Sequence, residues 1–147
     1  MRDETIRTGN TIQDDTIRML VRKAMDMLVM SYAPYSRFHV GAALLTKSGE
    51  VYGGCNIENR AFSATVCAER TAVFKAISEG EKEFQAICIA GGLNGIVEDY
   101  CPPCGVCRQV LSEFCDPDTF LIILARTEED YKVYTLREML PYHFDLI

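Results

Sequence analysis

Two short stretches hold the residues best suited to chemistry: Cys67-Ala68-Glu69-Arg70 and Pro103-Cys104-Gly105-Val106-Cys107. If a fold brings them together, Cys67, Cys104 and Cys107 can hold one zinc ion per chain. Three thiolates leave one tetrahedral position for water or substrate, which is the mark of a reactive zinc; a fourth protein ligand would make the centre structural. Glu69 follows the first cysteine closely enough to move protons beside that open position. Cys104-x-x-Cys107 sets two sulfurs one helical turn apart on the same side. Pro103 suits the first position of a helix, and Cys67 falls in the first turn of its own expected helix. Helix N-termini carry free N–H groups and partial positive charge, and both favour the thiolate a metal requires. Three thiolates on a divalent ion leave excess negative charge and weaken its Lewis acidity. Arg70 can offset this by donating hydrogen bonds to sulfur; its plainer reading is a surface ion pair.

A lone CxxC is weak evidence, since it also occurs in redox pairs and in halves of structural zinc sites. The conjunction with Cys-Ala-Glu is much stronger. The other cysteines have plain readings: Cys88 in a core strand, Cys115 at a helix end, Cys55 at a strand end. Cys101 forms a second CxxC with Cys104, but two intervening prolines hold it extended, away from the helical pair. His39 alternates away from the Phe38/Val40 face and His143 lies near the chain end, so neither is read as a ligand.

The elements that must position these groups follow from periodicity and turn residues. Met1 to about Gln13 is polar and without apolar period, so a loose lead-in is expected, with no signal peptide. Asp14 or Asp15 can cap a helix that carries Ile17, Leu20, Val21, Ala24 and Leu28 on one face and stops near Ser31. Phe38–Thr46 and Val51–Ile57 read as an antiparallel hairpin across Lys47-Ser48-Gly49-Glu50. Thr65 can cap a helix from about Val66 to Glu79, ended by Gly80. Phe84–Ala90 reads as a buried strand broken by Gly91-Gly92-Leu93-Asn94-Gly95. That glycine cluster lacks the Lys-Ser/Thr of a phosphate loop. A helix from about Cys104 to Phe114, strands at Thr119–Ala125 and Tyr131–Tyr134, and a short helix at Leu136–Leu140 complete the chain. This order predicts one three-layer α/β domain over residues 1–147. The turn Thr127-Glu128-Glu129-Asp130 is too short for a parallel crossover, so the last two strands should be antiparallel.

Composition narrows the partners. The 147 residues carry a formal charge of −6, and no run of Lys and Arg suggests a nucleic-acid face. No apolar run approaches the roughly 20 residues of a membrane span. Seven cysteines cannot all pair internally, and clustered cysteines without a signal peptide point to metal or catalysis in the cytoplasm. A small diffusible substrate is the expectation.

Four motifs occur in order between about Pro34 and Phe144, the first reaching back to Tyr32. They are Tyr32-Ala33-Pro34-Tyr35-Ser36, Gly53-Gly54-Cys55-Asn56-Ile57-Glu58-Asn59, Cys67-Ala68-Glu69-Arg70 and Pro103-Cys104-Gly105-Val106-Cys107-Arg108-Gln109. Together they resemble the short, homotetrameric, three-cysteine cytidine deaminases. The resemblance implies an α/β/α sandwich with a five-stranded mixed sheet. It implies Zn²⁺ on Cys67, Cys104 and Cys107, with Arg70 behind the sulfurs. It further implies that activated water attacks C4 of the cytosine ring, while Glu69 takes a proton from the water and passes protons to N3 and the departing amino group. Cytidine and deoxycytidine would give uridine and deoxyuridine with ammonia, as in pyrimidine salvage. By the same resemblance, Asn56 and Glu58 hold the ribose hydroxyls, Phe38 lies near the pyrimidine, and the backbone of Ala68 contacts the base. Phe62 and Phe144 would come from neighbouring subunits to complete each site. Two positions depart from the family: Arg60 stands where a small residue is more common, and Cys101 replaces a small polar or apolar residue, which invites oxidation or metal misligation.

Three other readings compete. A deaminase of another cytosine compound, such as a blasticidin-type antibiotic, shares the metal motifs, but Asn59 favours the ribonucleoside. A polynucleotide-editing deaminase fits poorly with the acidic chain, with the antiparallel last strand, and with Cys-Ala-Glu where tRNA-deaminase relatives commonly have His-Ala-Glu. A zinc-binding interaction module would need a fourth ligand and has no use for Glu69.

Overall fold

The computed structural model describes residues 12–146. The lead-in expected over Met1–Gln13 lies outside them up to position 11, while Ile12 is buried. Helix α1 (Asp14–Val29) is followed by strands β1 (Phe38–Thr46) and β2 (Val51–Cys55), a 3-10 turn at Phe62–Ala64, helix α2 (Ala68–Ser78) and strand β3 (Phe84–Leu93). Helix α3 (Gly105–Phe114), strands β4 (Leu121–Ala125) and β5 (Tyr131–Thr135), and the one-turn helix α4 (Leu136–Met139) complete the order. The five strands form one mixed sheet in the order β2-β1-β3-β4-β5. Only β3 and β4 run parallel; β4 and β5 pair antiparallel, as their short turn requires.

The sheet is buried on both sides. On β3, Ala86, Cys88 and Ala90 pack toward α1 while Ile87 and Ile89 pack toward α2 and α3. On β4, Leu121, Ile123 and Ala125 take the first face and Ile122 and Leu124 the second. Burial on both faces explains why these strands read as continuous apolar runs rather than alternating ones. α1 covers its side with Ile17, Leu20, Val21, Ala24 and Leu28, the five positions that helical spacing selects. On the opposite side, Ala68, Ala72, Val73 and Ala76 of α2 and Leu111 of α3 close the core. Small residues on α2 let it lie close to the sheet. A Cβ at Gly54 would come within 2.4 Å of the Ala68 carbonyl oxygen.

Several boundaries differ from the sequence expectation. α1 is preceded by Gln13 without a side-chain cap, and Asp14 and Asp15 sit in its first turn, where they favour the helix dipole instead. β3 does not break at Gly91. It continues through Gly92 and Leu93, paired with Val40, His39 and Phe38. The glycines permit a close return of the chain, since a Cβ at Gly92 would lie 1.8 Å from the Ile96 carbonyl oxygen. The turn falls instead at Asn94-Gly95, both in the left-handed region. Thr65 does not cap α2. Its hydroxyl accepts from the Asn59 N–H (3.1 Å), and Val66 bridges antiparallel to Ile57, holding the chain extended until Cys67.

Candidate metal centre

α2 and α3 both begin on a cysteine. Cys67 is the N-cap of α2 and Cys104 the N-cap of α3, each with an extended backbone. The expected first-turn placement is therefore corrected by one or two residues, and Pro103 precedes the cap instead of opening the helix. The consequence for chemistry is favourable. An N-cap side chain can accept from the free N–H groups of the first turn; Cys104 Sγ does so from the Cys107 N–H at 3.5 Å, whereas the Cys67 side chain makes no capping bond. Cys107 follows within the first turn of α3 and is buried.

The two helix starts converge. The Sγ atoms of Cys67, Cys104 and Cys107 all lie within 4.8 Å of one another. Cys67 and Cys104 are 3.6 Å apart, too far for a disulfide. A tetrahedral zinc with sulfur at 2.3 Å has an S···S edge of about 3.8 Å, so the donor set and its spacing fit zinc. Among the described residues no fourth His, Cys, Asp or Glu atom joins the group. His39, His143 and Cys101 stay outside it, and one coordination position is left over.

Charge around the tripod is organised. Cys107 hydrogen-bonds toward Cys67, which lowers the Cys67 thiol to about 5 and raises that of Cys107. Arg70 Nη2 donates to Cys67 Sγ at 3.4 Å. Burial works against the Arg70 cation, but its hydrogen bonds to Cys67 and Cys107 outweigh that and raise its pKa. Arg70 thus sits behind the sulfurs and not in a surface ion pair. Glu69, in the first turn of α2, is 4% exposed. Burial pushes its carboxyl up to about 7, with the nearby Cys67 charge adding to the effect.

A cavity of about 280 Å³ opens beside the tripod, lined by Phe38, Asn56, Glu58, Ala68, Glu69 and Cys104 among others. That is near the lower end of the roughly 300–1,000 Å³ typical of small-molecule sites. Asn56 is fixed in orientation: its Oδ1 accepts from the Val40 N–H (2.9 Å) and the Ser31 hydroxyl, and its Nδ2 donates to the Phe38 carbonyl (2.8 Å). Glu58 Oε1 accepts from the N–H groups of Tyr35 and Ser36 at 2.9 and 3.1 Å. The Ser36 contacts hold the Glu58 carboxylate below its ordinary range. Phe38 is 39% exposed, so it is a pocket wall and not plain core. Phe62 and Phe144 do not line the cavity of their own chain and are 82% and 68% exposed. The Phe144 backbone is tied to the side chain of Gln109.

Sequence reasoning did not select Ser36, Thr65, Val66 or Pro102 as walls of this cavity. Ser36 closes the Tyr32–Ser36 motif, and that adjacency was the available signal. Cys101 also lines the cavity. Burial, with Glu69 and Cys67 nearby, pushes its thiol up to about 12 and keeps it protonated.

Comparison with known proteins agrees with this geometry. The family profile "Cytidine and deoxycytidylate deaminase zinc-binding region" matches residues 14–123. The chain is 46% identical to a cytidine deaminase of Halalkalibacterium halodurans over 84% of its own length and 90% of that protein. It is 34% identical to a blasticidin-S deaminase of Bacillus cereus over 92% of its length and 96% of that protein. The crystal structure of a cytidine deaminase from Burkholderia pseudomallei superposes with a TM-score of 0.77 at 40% identity, covering 86% of this chain and 97% of that one.

Proposed function

The chain belongs to the cytidine and deoxycytidylate deaminase family, and on that premise we propose that it hydrolyses cytidine and deoxycytidine to uridine and deoxyuridine with release of ammonia. The observation that carries this reading is a buried carboxyl, Glu69, lining one cavity together with two of three converging thiols and with Asn56 and Glu58. Cys67, Cys104 and Cys107 would hold zinc, which would supply Lewis acidity toward water at the remaining position. Glu69 would take one proton from the attacking water and deliver it to N3 of the ring, then take the second from the oxygen now bonded to C4 and deliver it to the amino nitrogen as the C4–N bond breaks. Its burial excludes bulk water that would compete for those protons. Arg70 draws negative charge from Cys67 and so preserves the acidity of the centre.

The remaining residues bind. One N–H of Asn56 goes to Phe38 and the other is left for a sugar hydroxyl. Glu58, anchored through Oε1, accepts from a second hydroxyl. Phe38 packs against the pyrimidine, and Ala68, at the start of α2, contributes a backbone contact to the base. Phe62 and Phe144 reach the sites of neighbouring copies in a homotetramer. Their exposure, with that of Tyr35 and Tyr142, supports this assembly. Seven free thiols suit a reducing compartment, which supports a cytoplasmic location.

Purified protein incubated with cytidine, deoxycytidine, cytosine, blasticidin S and a short single-stranded oligonucleotide tests the assignment. Ammonia and uridine nucleosides are expected from the first two alone. Turnover of blasticidin S without turnover of either nucleoside would establish the second reading, which the Bacillus cereus relative keeps open.

A further inference from the structure

The stretch between β3 and α3 carries a metal ligand yet has little framework of its own. Among the described residues, positions 97–103 take part in no backbone–backbone hydrogen bond. Nevertheless the stretch contributes Cys101 and Pro102 to the cavity wall and leads directly into Cys104. Side chains hold it instead. Arg108 Nε donates to the Pro103 carbonyl at 2.8 Å, and Arg126 Nη1 donates to the Glu98 carbonyl at 3.3 Å. Between these ties stands Tyr100, whose hydroxyl donates to Asp130 at the turn between β4 and β5. Arg126 holds the same Asp130 carboxylate at 2.7–2.8 Å. The Tyr100 ring also lies under two cations, 5.1 Å from Arg126 and 4.6 Å from Lys132. Pro102 and Pro103 fix their own φ and restrict the residues before them. The link from Tyr100 to Cys104 is therefore stiff, and displacement at the ring is carried to the sulfur.

We propose that Tyr100, clamped by Asp130, Arg126 and Lys132, is a positioning residue that holds Cys104 and the Cys101–Pro102 wall in register with the metal centre. The role rests on the zinc-dependent reading above. It assigns to the β4–β5 hairpin, which supplies no residue lining the cavity, a part in retaining the metal.

Tyr100→Phe keeps the ring and removes the hydroxyl; Asp130→Asn weakens the same clamp from the hairpin side. Each variant stands alone if the other fails to fold. Zinc transfer from the purified protein to a chromogenic chelator should accelerate about tenfold in both, the lower end of what groups supporting metal ligands contribute. KM for cytidine should rise while kcat changes less, because the wall moves and Glu69 does not. Arg137→Gln breaks an exposed ion pair with Asp118, remote in sequence from this stretch, and should leave zinc transfer unchanged. Unchanged transfer in both clamp variants, or equal acceleration in Arg137→Gln, would overturn the role of Tyr100. Protein purified without any zinc would overturn the metal centre itself, so the two failures are distinguishable.

Discussion

Glu69 is a carboxyl in a place where stability alone would favour an apolar side chain. It is 4% exposed, and the nearby Cys67 thiol, which readily ionises, adds to burial in holding its carboxyl up. Glu69→Gln keeps the shape and removes the proton carrier. Turnover of cytidine should fall by about 10²–10⁴-fold, the usual contribution of a positioned acid–base group. Zinc content should be unchanged, and the melting temperature equal or higher, because a buried ionisable group has been neutralised. Retained turnover in steady-state assays would remove Glu69 from the proton path. At this scale the sequence was informative: spacing and residue type were enough to single out Cys67, Cys104, Cys107, Glu69 and Arg70. It did not disclose that two of these cysteines are N-caps. Cysteine is not a usual capping residue, and the extended chain leading into Cys67 pairs through the Ile57–Val66 bridge, a contact that no local motif marks.

Among the elements, β2 acts as a wedge between two helices. Successive side chains of a strand point to opposite faces, so Gly53 faces α1 and Gly54 faces α2. A Cβ on Gly53 would meet the ends of Met27 and Lys23, which can move aside. On Gly54 it would meet backbone: the Ala68 carbonyl at 2.4 Å and the Ala72 N–H nitrogen at 2.5 Å. Gly54→Ala should therefore destabilise by roughly 1–3 kcal/mol and lower both zinc content and kcat, since α2 carries Cys67 and Glu69 as it retreats. Gly53→Ala should be much milder. Denaturant unfolding with metal analysis of both variants checks the contrast; equal effects would mean that α2 tolerates displacement. Apolar period and turn chemistry made nearly every element legible, including the antiparallel last pair. The extension of β3 through Gly91 and Gly92 was not, because Gly91 makes room for the Val40 side chain and Gly92 for the Ile96 backbone rather than forming a turn. Nothing local in the sequence marks that difference.

For the whole molecule, the two-sided sheet and the exposed aromatic residues lead to different expectations. The core is complete within one chain, so each subunit should fold around its own sheet. Among the described residues, Phe62, Phe144 and Tyr142 stay largely exposed. Sedimentation equilibrium should give about 66 kDa, four times the 16.5 kDa chain. Phe62→Ala should raise KM for cytidine while leaving the folded subunit intact. A fully active 16.5 kDa species would exclude sharing of sites between copies. The expected subunit number rests on resemblance alone, because period and burial speak to the inside of one chain.

The sulfurs of Cys67 and Cys104 meet across 37 positions of sequence, and all of β3 lies between them. An ion gripping both therefore acts as a clasp on the polypeptide as well as a reagent. By analogy with a covalent cross-link over the same span, tethering those ends would remove unfolded-chain entropy worth about 4 kcal/mol at 25 °C. Zinc bound there would thus also help to keep the central strand seated, and its loss would cost the protein durability together with catalysis.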